Sequence, residues 1–227
     1  MKQWILTFVA TVALGAVPAA AGIITGVTDF GGEDGTGPGV GAVTVVVFPP
    51  INPNNDNQDG TTPILDNNIN VPIKRFDNPG YIDIEFEVAT TLGVTEYKLI
   101  ESVDNNTGAP WIGYTMQLGF GTGPGFVPSV AGDGLDFDAP GFDPPATSTA
   151  FSTVVASTED LLVFSGGSQG TGQKVYNVRI DVPDALQLLG GTFTLRQLPI
   201  AVPEPAGLAL AGVAGLGLLA NRRKLRS

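Results

Sequence analysis

The chain has 227 residues, enough for one sizeable domain or two small ones, and carries a formal net charge of −11. Gly (31) and Pro (18) crowd a chain in which only 15% of residues are charged, a composition that fits a loop-rich β protein better than a helical one. There is no Cys and no His, which excludes disulfide staples, thiolate metal centres and both the Ser-His-Asp and Cys-His forms of nucleophilic catalysis.

Residues 1–21 read as a secretory signal helix. Lys2 supplies the positive start, Ile5–Val17 the short apolar core, and Ala19-Ala20-Ala21 a small-x-small site that places the cut after Ala21. A domain of this size buries enough apolar surface to fold outside the cell without disulfides.

Residues 22–201 form the expected ectodomain. Gly39–Phe48 holds the β-branched run Val43-Thr44-Val45-Val46-Val47. Asn55–Asp66, "NDNQDGTTPILD", follows the spacing of a calcium loop. Asn55, Asn57, Asp59 and Asp66 would offer side-chain oxygens, Thr61 a backbone carbonyl, and Gly60 the sharp turn. It opens on Asn rather than Asp, ends on Asp rather than Glu, and holds Pro63 inside. An Asx-rich turn without metal is the alternative, and calcium is the sole cofactor the sequence points to.

Tyr81–Val88 alternates, with Ile82, Ile84, Phe86 and Val88 on one face and Asp83, Glu85 and Glu87 on the other, the pattern of a half-buried antiparallel strand. Val94–Val103 is its expected partner across the short turn Thr90–Gly93. Asp104, Asn105, Asn106 and Gly108 then mark a turn, and Trp111 enters the next strand as a core anchor rather than a sugar-stacking platform. Trp111–Phe120 puts Ile112, Tyr114, Met116, Leu118 and Phe120 on one face.

Gly121–Thr149 reads as a long Gly/Pro/Asp insertion in which Asp133, Asp136, Asp138 and Asp143 make a solvated acidic loop. Ala150–Ala156, Leu161–Phe164, Lys174–Val182 and Thr192–Leu198 are further strands, and Asp184–Leu189 is the one short helical stretch. The sum is an all-β fold, an antiparallel β-sandwich of jelly-roll or immunoglobulin-like character.

The chain ends "VPEPAGLALAGVAGLGLLANRRKLRS", residues 202–227. Pro203-Glu204-Pro205 fixes an extended, unpaired backbone. Ala206–Ala220 is apolar throughout and reads as a transmembrane helix of roughly 22 Å, short of the roughly 30 Å hydrocarbon core unless flanking residues and local thinning make up the difference. Arg222, Arg223, Lys224 and Arg226 form a basic anchor that stays cytoplasmic and leaves the preceding domain outside.

Motif, apolar run and basic end, in that order, resemble the PEP-CTERM sorting signal of Gram-negative bacteria. The resemblance implies recognition and removal of the tail by an exosortase, a membrane cysteine transpeptidase-like enzyme. It also implies transient anchoring in the inner membrane, a final place at the cell surface or in the extracellular matrix, and association with exopolysaccharide. Glu101–Phe120 resembles a strand-turn-strand unit common in the ectodomains of that family.

Between Gly22 and Pro203 there are six basic and 21 acidic residues, a net −15, so nucleic acid is not an expected partner. No enzymatic activity is expected. Glu85 and Glu87 share one face of a regular strand, and "GTGPGFVP" is not followed by a Lys-bearing helix. The expected role is that of an exported surface or matrix protein of a biofilm. The alternative is a carbohydrate-binding module or a polysaccharide-acting enzyme.

Overall fold

The computed structural model describes residues 22–53, 55, 66–90, 93–138, 145–184 and 189–202. The expected signal and transmembrane helices, and most of 184–189, lie outside them.

Among the described residues, twelve strands follow in chain order: β1 (Gly22–Val27), β2 (Val40–Val47), β3 (Asn68–Phe76), β4 (Ile82–Thr90), β5 (Thr95–Asn105), β6 (Trp111–Phe120), β7 (Val127–Pro128), β8 (Thr147–Ser148), β9 (Phe151–Thr158), β10 (Leu161–Gly167), β11 (Gly172–Val182) and β12 (Thr192–Ala201). They make two sheets. A seven-stranded one runs β1-β4-β12-β6-β10-β9, with β7 also on β6, and a five-stranded one runs β2-β3-β5-β11-β8.

The inner faces meet in one core. Ile82, Ile84 and Phe86 of β4 and Leu195 of β12 face Tyr97 and Leu99 of β5 and Val178 and Ile180 of β11. An aromatic cluster bridges the sheets: Phe76 lies edge-on to Trp111 at 5.2 Å, and Tyr114 meets Tyr176 at 4.9 Å. The alternation read from Ile82–Val88 and Tyr176–Val182 is the observed inward set.

Several expectations are corrected. The fold is not wholly antiparallel, because β3 and β5 pair in parallel, Asn68 opposite Lys98 through Phe76 opposite Asn105. Nor does β5 pair with β4. The chain crosses to the opposite sheet for β4 and returns, and two reversals leave β5 parallel to β3. Asp83 is fully buried, covered by Arg196 and the 123–126 turn. Ile112 is 48% exposed while Trp111 is 0% exposed. The β6/β12 register shifts between Ile200 and Ala201, and this irregularity turns Trp111 inward and Ile112 out.

The 121–149 insertion is more than a solvated loop. Asp136 bridges Asp181, and Leu135 and Phe137 are tucked, fully buried, into the core.

Four strands, β1, β3 and the two-residue β7 and β8, go beyond the eight that the sequence pattern predicts. In β3, Pro72 sits where the register with β5 shifts between Val71 and Lys74, one of the few places a strand tolerates proline.

Candidate functional site

The folded domain and the tail meet at the end of β12. This strand is held on both sides, by β4 and by β6, and its ladder with β6 runs to Ala201 opposite Trp111. One more backbone bond follows, Val202 N–H to the Pro110 carbonyl at 3.2 Å. Pro203 has no N–H to continue the ladder, and Pro205 repeats the block. In the sequence, Pro203-Glu204-Pro205 follows this last bonded residue directly. Pro203 to Pro205 and the basic anchor Arg222 to Arg226 lie outside the described residues.

The turn beneath this junction is tightly built. Asn105 Nδ2 donates to the carbonyls of Ala109 and Gln169, while its Oδ1 accepts from the Thr107 N–H and hydroxyl. Gly108 takes φ +81°, open to glycine and costly for other residues. The Trp111 indole N–H donates to Thr107 Oγ at 3.3 Å. Trp111 is a core anchor, as its position in the sequence implies, and offers no exposed ring face.

Of the calcium-loop residues, Asn55 and Asp66 are described; Asn57, Asp59 and Thr61 lie outside. Both described ends serve the fold. Asn55 Oδ1 accepts from Asn67 Nδ2 at 2.7 Å. The Asp66 carboxylate pairs with Arg179 at 3.1 Å and with Lys98 at 3.2 Å.

The acidic loop is likewise engaged locally. Asp133 accepts from the Ser129 hydroxyl at 2.6 Å and from the Leu135 N–H at 3.0 Å, and Asp136 accepts from the Asp138 N–H at 2.7 Å. Asp143 lies outside. Among the described residues, no three acidic side chains converge to hold a metal ion.

Burial, reinforced by Glu159, Asp138 and Asp160, pushes the Asp136 carboxyl up to about 6, and burial with Asp133 and Glu159 does the same for Asp160. The folded chain thus holds these protons more tightly than the unfolded one. The associated stability is fully present below the ordinary value of 3.8 and lost as pH rises through about 6. Thermal melts are expected to show roughly 1–3 kcal/mol more stability near pH 4 than near pH 7, after discounting for solvent screening. The double variant Asp136→Asn/Asp160→Asn should flatten that difference. A difference that survives it places the titration elsewhere.

The five-stranded sheet presents a shallow hollow on its outer face, about 290 Å³, between Phe48, Ile51, Asn68, Asn70 and Ile100. Phe48 and Ile51 are exposed there.

What leaves β12 is a protein-sorting signal. Residues 201–224 match the PEP-CTERM protein-sorting motif, so the chain carries that motif from the last residue of β12 onward. The motif implies export and processing by an exosortase. No curated protein and no solved structure matches the chain.

Proposed function

We propose that this is a non-catalytic surface or extracellular-matrix protein. In this reading it is exported by the signal segment 1–21, held transiently in the inner membrane by the helix Ala206–Ala220, and released to the cell exterior by an exosortase. Its β-sandwich then associates with exopolysaccharide in a biofilm. The observation that carries the reading is the sorting motif at 201–224. Three further features support it. The motif follows a fully paired strand directly, the sequence lacks His and Cys, and the described acidic residues of the two candidate loops are engaged in the fold. The burial of Trp111 weighs against a carbohydrate-binding module built on that ring.

Intact-mass measurement of the secreted form from an exosortase-bearing host tests the route. The processed chain is expected to begin near Gly22 and to lack Ala206–Ser227, and deletion of Arg222–Arg226 should leave the precursor unprocessed. A secreted form that retains its full C-terminus overturns the reading.

A further inference from the structure

Between the two sheets lies a polar cluster that the sorting function does not use. Lys74 of β3 and Glu101 of β5 project from one sheet, and Gln197 of β12 and Tyr114 of β6 from the other. All four are 0% exposed. Lys74 Nζ contacts both Glu101 Oε1 and Gln197 Oε1. Gln197 Nε2 donates to Glu101 Oε1 at 2.7 Å and to Oε2 at 2.8 Å, and the Tyr114 hydroxyl donates to Gln197 Oε1 at 3.1 Å.

As a stabilising device, a buried ion pair is a poor choice, since desolvating two charges offsets most of their attraction. As a reaction centre, the arrangement is complete. An amine touches a carboxamide, a phenol polarises the carbonyl, and one carboxylate oxygen faces both the attacking nitrogen and the leaving one. Burial lowers the proton affinity of Lys74, against the opposing pull of Glu101, which favours the neutral nucleophilic amine. Burial, with Glu101 and Tyr176 nearby, raises that of Tyr114, which keeps its hydroxyl a donor.

We propose that Lys74 and Gln197 are joined by an intramolecular isopeptide bond, formed in the folded core with Glu101 as proton carrier and Tyr114 as the donor to the carbonyl oxygen. Proton transfer from the Lys74 ammonium to Glu101 leaves two neutral groups in a dry site. The Nζ lone pair attacks Gln197 Cδ, and the C=O π electrons move onto Oε1 under the Tyr114 hydroxyl. Glu101 returns its proton to Nε2 and removes one from Nζ. The Cδ–Nε2 bond breaks, the carbonyl re-forms, and ammonia leaves. Amine plus carboxamide become a secondary amide plus ammonia, with no oxidant, reductant or cofactor. Exclusion of water keeps hydrolysis from competing. The bond ties β3 of one sheet to β12 of the other across a separation of 123 residues, in a chain that has no Cys with which to make a disulfide.

Mass mapping of a tryptic digest of the whole denatured chain tests this. Trypsin does not cut after an acylated lysine, so the expected product is a branched peptide. It joins the segment carrying Lys74 to the one carrying Gln197 and is about 17 Da lighter than the two together, the mass of ammonia. Recovery of the two segments as separate, unmodified peptides, with cleavage after Lys74, overturns the proposal. Glu101→Gln, its fold checked by circular dichroism, is expected to yield the separate peptides, and a cross-link that survives removes Glu101 from the reaction. Tyr114→Phe keeps the ring and should slow cross-linking in a refolding time course, and an unchanged rate removes the hydroxyl.

Discussion

Trp111→Ala is expected to cost the domain about 3–5 kcal/mol of unfolding free energy, read by urea or thermal denaturation. The ring is fully buried, lies edge-on to Phe76 at 5.2 Å and stacks on Tyr114 at 5.9 Å with an interplanar angle of 12°. Truncation opens a cavity where both sheets contribute to the aromatic cluster, and close-packed neighbours refill it only in part. It also leaves the Thr107 hydroxyl without the indole N–H that it accepts. Trp111→Phe keeps most of the apolar volume and should cost less than half as much. A loss near zero for the alanine variant would mean that the ring does not anchor the core.

Arg196→Ala is expected to cost a similar amount, about 3–5 kcal/mol, through charge rather than volume. The Asp83 carboxylate is fully buried, and the Arg196 guanidinium grips it through two bonds of 2.7 Å. The same guanidinium donates to the Gly123 carbonyl at 2.7 Å and lies 4.0 Å from the ring centroids of both Tyr81 and Phe126. The Gly123 N–H closes the circuit on Asp83 at 2.8 Å. Removing Arg196 strands a buried negative charge and frees the turn that covers it. Arg196→Lys should restore only part of the loss, because an ammonium cannot make the planar two-pronged contact or stack between two rings. Replacing both partners, Asp83→Leu with Arg196→Met, should recover most of the stability in a denaturant titration. If the double variant is as unstable as Arg196→Ala, the loss comes from packing and not from the uncompensated charge.

These two cases show what the sequence makes legible. A period-two pattern is local, so Ile82–Val88 and Tyr176–Val182 announce their inward faces without reference to the rest of the chain. Asp83 reads as solvent-facing for the same reason. Its partner Arg196 is 113 residues away, and nothing near either position signals the pairing. Strand β3 is hidden twice over, by Pro72 at its bulge and by Lys74, a residue type that reads as exposed yet points into the core. The short turn at Thr90–Gly93 says that β4 and β5 are neighbours in space. It does not say that the chain changes sheet there, because that depends on which strands arrive later to flank each one. The sorting tail is the opposite case. Its three parts are contiguous and act through composition, so the sequence displays them completely. The acidic loop looks like open solvent because its anchors, Leu135 and Phe137, are two apolar residues among many Gly, Pro and Asp.

The position of β12 also sets the order of assembly. The seven-stranded sheet consists of two parts, β1-β4 and β6-β10-β9 with β7, and β12 alone joins them. Among the described residues it is the last strand in the chain, so it is also the last of them to be synthesised. Until it arrives, β4 and β6 each present an open edge, the kind of surface that recruits other chains. The seven-stranded sheet therefore cannot close before β12 docks. A chain truncated just before Thr192 would carry the other described strands yet lack the one that joins the two parts of this sheet.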